Sequence, residues 1–291
     1  MNQGLLYLAA SVACSVTVAV LLKLARRHAI DVRQAIAVNY AVAAALCWLL
    51  LRPDAQALRQ AMQGAPVLAA LAVLLPTVFV AMARSVRHAG IVKSDAAQRL
   101  SLFIPLLAAF ALFGESLTAR KLAAIALAFA ALACLLRRRA PAGAAADDAP
   151  DDRRAAWMWP LAVWAGYGVI DILFKQLARS GTAFSAGLLA TFVAAGLLTL
   201  AYLCIRRTRW QARHALAGVA LGLANFGNIL TYVRAHQSLP DHPALVFGAM
   251  NMGVITAGTL VGALAFRERL SALNLAGLAL ALAAIAAMLP W

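Results

Sequence analysis

Apolar residues run along this chain in ten long stretches, at 4–24, 33–51, 64–84, 94–113, 119–136, 157–178, 184–205, 213–235, 243–265 and 271–289. A helix that rises 1.5 Å per residue needs about 20 mostly apolar residues to cross the hydrocarbon of a bilayer. The pattern therefore predicts an all-α integral membrane protein with ten transmembrane helices. The break between the fifth and sixth stretches differs from the others. It reads RRRAPAGAAADDAPDDRR, rich in Pro, Gly, Ala and charge, and it predicts a cytoplasmic linker at 137–156 between five-helix halves at 1–136 and 157–291.

The two halves repeat each other. FGESLTARKLAAIALAFAALACLL at 113–136 returns as FRERLSALNLAGLALALAAIAAML at 266–289, with 13 of 24 positions identical. Ala and Leu inflate that score, so the weight falls on Phe-x-Glu-x-Leu followed at once by an apolar run. Lys23 aligns with Lys175, Asn39-Tyr40 with Thr191-Phe192, and Gln98 with Asn251, at shifts of 152 or 153 residues. An odd number of helices per half makes the second half enter the membrane in the opposite sense. The expectation is two inverted five-helix repeats.

Composition agrees about the solvent. Hydrophobic residues make up 64% of the chain, charged residues 13%, and the mean hydropathy is +0.82, against about 25% charged residues in a soluble domain. A net charge of +15 would point to nucleic acid in a soluble protein. Here the cations cluster between apolar runs, as topogenic charges do, and nucleic acid is not an expected partner. The connections after the odd-numbered helices carry 19 Lys and Arg, the opposite side 7. The positive-inside rule then places both termini in the periplasm, in a multi-pass protein of the inner (plasma) membrane. Met1-Asn2-Gln3 has no positive charge and the apolar run after it is long, so no cleaved signal peptide is expected. The four cysteines lie inside apolar runs and read as small packing residues, and no Cys/His spacing resembles a metal site.

With ten helices arranged five plus five, Gly114-Glu115-Ser116-Leu117 after the fourth and Glu268-Arg269-Leu270 after the ninth, the chain resembles the drug/metabolite transporter (DMT) superfamily, EamA-like family. The second copy departs from the pattern in carrying Arg267 where the glycine would stand. The resemblance implies export of amino acids, metabolites or drugs across the bacterial inner membrane.

Candidate chemistry is sparse. Asp171 is the one carboxylate well inside an expected span, four residues before Lys175 and so on the same helix face. A charge at membrane depth faces a pathway or a partner. Two readings stay open: a proton-coupling carboxylate, or a helix-end ion pair with Lys175 snorkelling outward. Lys23 has Ala19 in place of an acid and reads as an anchor. The amides Gln98, Asn225, Asn228 and Asn251 lie among apolar neighbours, where they either glue helices together or line a cavity. Tyr167 and Tyr232 would wall an apolar site or simply pack. Together Tyr167, Asp171, Gln98, Asn225, Asn228, Tyr232 and Asn251 are the cavity-lining candidates. Glu115 and Glu268 read as helix-end anions rather than substrate contacts, and the five histidines, near span ends, argue against a buried relay.

No nucleophile elbow, zinc-protease or nucleotide-binding motif is present, so no enzyme activity, cofactor or metal is expected. The leading reading is a secondary, non-ATP transporter of a small organic solute, working by alternating access between inverted repeats, with a proton as the coupling ion to test. The alternatives are a lipid-linked carrier flippase-like protein and a non-transporting membrane scaffold. The sequence leaves the oligomeric state open.

Overall fold

The computed structural model describes residues 2–136, 153–266 and 271–289. Within them the chain is helical: α1 (Asn2–Arg27), α2 (Val32–Leu51), α3 (Ala55–Met62), α4 (Ala65–Leu100), α5 (Phe103–Ala111), α6 (Ala119–Leu136), α7 (Arg153–Ala178), α8 (Phe184–Ile205), α9 (Ala212–Ser238), α10 (Pro243–Phe266) and α11 (Ala272–Met288), with one 3₁₀ turn at Gly181–Ala183 before α8. Seven of these helices (α1, α2, α4, α7, α8, α9 and α10) are long and apolar enough to cross a membrane. Large apolar side chains stand outward, with Leu264 83% and Ile205 80% exposed. Surfaces of that kind fit a membrane location. The linker and the Arg267–Leu270 part of the second motif, Glu268 included, lie outside the described residues.

The expected third and fourth spans are divided differently. α4 runs unbroken for 36 residues through Arg84, Arg87 and Lys93, which the charge pattern assigned to a connection. At 1.5 Å per residue it is about 54 Å long, well beyond the hydrocarbon thickness. The residues between Arg84 and Arg99 contain no Pro and a single Gly, so nothing local stops the helix. The stop comes later, and Pro105 accounts for it. Pro105 has no N–H to give the carbonyl of Ser101, and α4 ends at Leu100. Pro105 then occupies the first turn of α5, where the missing donor costs nothing. It separates two helices.

By its internal contacts the chain divides into two compact units, Met1–Thr77 with Ile172–Pro240 and Val78–Asp171 with Asp241–Trp291. In the first unit α1 and α2 both pack along α9, and α2 also packs on α8. Glycine sets the approach of α2 to α9. A Cβ at Gly218 would stand 2.6 Å from the Ala35 carbonyl oxygen, and one at Gly222 2.7 Å from Val42 Cβ. At the α2–α8 contact Tyr40, Ala43, Phe192 and Ala195 are fully buried.

In the second unit α6 lies along α11, and α10 packs on α11 and α5. Gly114, at φ +71°, closes α5 in the left-handed region open to glycine. The Glu115 N–H then returns to the Ala109 carbonyl at 3.0 Å. This turn sends the Glu115 side chain across to α10, where Oε2 accepts the Ala244 N–H at 2.7 Å. Oε1 meets Lys121 Nζ at 2.9 Å. The capping expected of Glu115 is present, but on a helix 129 residues away, not on the one that follows it.

Candidate functional site

The polar residues that the sequence marks inside the helices fall in both units, and each unit is built separately. In the first, Asn225, Asn228 and Tyr232 sit at spacings of three and four along α9, which places them on one helix face. Asn228 is tied down: its Oδ1 accepts the Ser11 hydroxyl of α1 at 2.9 Å. Tyr232 is 5% exposed. It meets Phe174 of α7 edge-on with centroids 6.3 Å apart, and His236 one turn further along α9 at 4.9 Å.

Beside them lies Lys175, 2% exposed. Its Nζ donates to the Pro240 carbonyl at 2.9 Å. The snorkelling reading of Lys175 is thereby overturned. Pro240, just past the end of α9, supplies the ammonium an acceptor within the same unit. A buried ammonium needs such partners, because an uncompensated charge in a low-dielectric interior costs several kcal/mol, roughly. Two of the span-end histidines are buried as well. His214 and His236 lie at the ends of α9 as expected, yet they are 4% and 1% exposed. His214 Nδ1 accepts the Asp31 N–H at 3.3 Å.

In the second unit Tyr167 and Asp171 share one face of α7, four residues apart and both half-buried. Upstream on α7, Trp164 Nε1 donates to the Leu100 carbonyl at 3.1 Å. A Cβ on Gly168 would meet Ile104 at 2.5 Å. This part of α7 is thus seated on the α4–α5 junction. Gln98 is in the last turn of α4, where Ser101 Oγ donates to its carbonyl at 2.6 Å. Asn251, half-buried in α10, gives its Nδ2 to the Phe247 carbonyl one turn back at 3.0 Å. That bond is internal to α10 and leaves the Asn251 Oδ1 as an acceptor. Among the described residues no group of three or more His, Cys, Asp or Glu is placed to hold a metal.

No protein-family profile matches this sequence. A protein of Haemophilus influenzae (strain ATCC 51907 / DSM 11121 / KW20 / Rd), named there as an uncharacterized protein, is 45% identical over 280 residues, which cover 94% of each chain. The chain belongs to that protein's family. A solved crystal structure, described only as that of a protein, superposes with a TM-score of 0.73 over 99% of this chain and 96% of its own, at 18% identity. Identity that low carries the fold alone.

Sequence reasoning missed Ser11, Lys175 and His236 as parts of the interior polar surroundings of α9. A signal existed for Lys175: a lysine eleven residues past Trp164 in an otherwise apolar helix is costly wherever it is not covered. None existed for Ser11, one hydroxyl among many small residues in α1.

Proposed function

We propose that this protein is a secondary transporter of a small organic solute, of the EamA-like kind, with two inverted five-helix repeats. The observation that carries this reading is how repeat-related helices pair. α2 and α8 carry the matched Asn39-Tyr40 and Thr191-Phe192, and they pack on each other in the first unit. α6 and α11 are the two copies of the terminal repeat, and they pack on each other in the second. Two helices related by a two-fold axis can touch only where that axis passes between them. An inverted repeat accounts for each pairing within its own unit. Each unit has polar side chains inside its helices, Asn225 and Asn228 of α9 in the first and Asp171 of α7 and Asn251 of α10 in the second, which a solute pathway needs and lipid contact forbids.

Asp171 is the coupling carboxylate in this reading. It lies mid-chain in α7 on the Tyr167 face, where protonation would change what the pathway offers a solute or a cation. Asp171→Asn keeps the shape and removes the titration. In cells loaded with candidate solutes, efflux by the Asn variant is expected to fall at least tenfold and to stop responding to an imposed proton gradient. A general acid–base group commonly contributes a factor of about 10²–10⁴ to its step, so a tenfold loss is a conservative threshold. A variant exporting at the wild-type rate with the wild-type response would remove Asp171 from coupling. Absence of efflux in the wild type across amino acids, metabolites and drugs would favour a scaffold.

The proposed orientation puts the protein in the inner membrane with both termini in the periplasm, following the excess of cations after the odd-numbered helices. A reporter that is active only in the periplasm, fused after Trp291, is expected to be active. Activity from a cytoplasm-specific reporter at the same place reverses the orientation and leaves the repeat untouched.

A further inference from the structure

At one end of the first unit α1, α2 and α9 leave a groove of about 240 Å³. Two stripes line it. On α1 Leu21, Leu24 and Ala25 lead to His28, and on α9 Leu221 and Ala217 lead back toward Arg213 at spacings of four. Each stripe passes from apolar to polar at the same end. Most of the wall is half-buried, so the groove opens at the surface, and His28 is exposed at its mouth.

The rim is cationic. The end of α1 and the first turn of α2 bring Arg27 and Arg33. The α8–α9 connection and the first turn of α9 bring Arg206, Arg207, Arg209 and Arg213. All six are exposed. The two connections are fastened to each other, since Gln34 Nε2 donates to the Arg209 carbonyl at 3.0 Å and the Gln211 N–H donates to Gln34 Oε1 at 3.1 Å. Asp31 is the one carboxylate in these connections. It is occupied as the cap of α2, accepting the Arg33 N–H at 3.0 Å and Gln34 Nε2 at 3.3 Å.

We infer that this groove holds an acyl chain of an anionic phospholipid, with the phosphate against Arg27, Arg33 and Arg213. An acyl chain gains little by leaving bulk lipid for an apolar groove, because lipid tails are as apolar as leucine. Preference must come from the headgroup, and the arginine rim supplies it at about fivefold in affinity for each cation near the phosphate. The groove adds what a cationic surface lacks, a fixed seat for one lipid.

The test uses the full-length protein in phosphatidylcholine nanodiscs, with phosphatidylglycerol titrated in. Native mass spectrometry counts the retained lipids, and thermal unfolding reads their effect. One phosphatidylglycerol is expected to be retained and to raise the unfolding midpoint above that in phosphatidylcholine alone. Arg27→Gln with Arg213→Gln should weaken retention about 25-fold, and Ala217→Trp, which fills the groove, should abolish it. Arg59→Gln, on exposed α3, should change nothing. A photoactivatable phosphatidylglycerol on the wild type, should either site variant fail to fold, is expected to label residues 21–28 and 217–221. Equal stabilisation by phosphatidylcholine, unchanged retention in Ala217→Trp, equal protection by inorganic phosphate or labelling spread evenly over the helices would each overturn the proposal.

Discussion

Glu115→Ala is expected to lower the stability of the folded protein by about 2–4 kcal/mol, from the loss of a charge-assisted hydrogen bond and a covered ion pair. The Glu115 side chain is 2% exposed, and both its oxygens are in use. α10 begins with Pro243, which has no N–H, so Ala244 carries the first donor that needs a partner. Glu115 Oε2 is that partner at 2.7 Å. A carboxylate at a helix N-terminus also meets the positive end of the helix dipole. Its other oxygen balances Lys121, whose side chain is 17% exposed and which also donates to the Ser116 carbonyl at 2.9 Å. The remaining water access of Lys121 keeps the estimate below that for a fully buried pair. Glu115→Gln keeps an acceptor for Ala244 and gives up the charge, so it should lose about half as much. Unfolding in mixed detergent, followed by circular dichroism, ranks the three proteins. Equal midpoints for wild type and alanine variant would show that the α5–α6 connection does not hold α10.

Gly222→Leu should prevent α2 from closing on α9. At this position a Cβ alone meets Val42 Cβ at 2.7 Å and the Asn39 carbonyl oxygen at 3.0 Å, and the nearest obstacles lie on or next to the α2 backbone. Overpacking of this sort costs about 1–3 kcal/mol even for a few added carbons, and leucine adds a branched side chain to it. Gly222→Ala should cost about 1–2 kcal/mol by the same mechanism. Gly258→Ala is the contrast. That glycine belongs to an equally good small-xxx-small pattern, yet a Cβ there meets nothing within 4 Å. The alanine should be neutral or slightly stabilising, because glycine in a helix interior costs about 0.8–1.0 kcal/mol relative to alanine. Thermal unfolding of the three variants side by side measures the difference. A Gly222→Leu protein as stable as Gly258→Ala would mean that α2 and α9 do not approach as closely as their Cβ geometry requires.

That pair of glycines shows how far a motif can be read. Gly218-x-x-x-Gly222 and Gly258-x-x-x-Gly262 look alike in the sequence. A Cβ would meet another helix at Gly218 and Gly222 and nothing within 4 Å at Gly258, and the residues between the glycines do not record that difference. Asn225, Asn228 and Tyr232 were readable as polar positions on one face of α9, since their spacing alone sets that. That Asn228 takes the Ser11 hydroxyl, 217 residues away, was not, because any of several small polar residues in α1 could have faced it. Pro105 is an intermediate case. Its effect on the backbone is local and legible, but the apolar run through it concealed the boundary, and the break was expected at 85–93 instead of at 101–102.

Hydrophobic run length, proline and glycine chemistry and the recurrence of Phe-x-Glu-x-Leu are properties of neighbouring residues. From these the sequence by itself determined that the chain is helical and apolar enough for a membrane. Tertiary structure decided the partners. Glu115 caps α10 rather than α6, and Lys175 is covered by Pro240 rather than reaching for the surface. The two helices that follow the Phe-x-Glu-x-Leu segments, α6 and α11, lie against each other. Each of these is a contact between segments far apart in the chain. Its energy depends on a distance of about 3 Å that only the packed helices set, and no local periodicity encodes it.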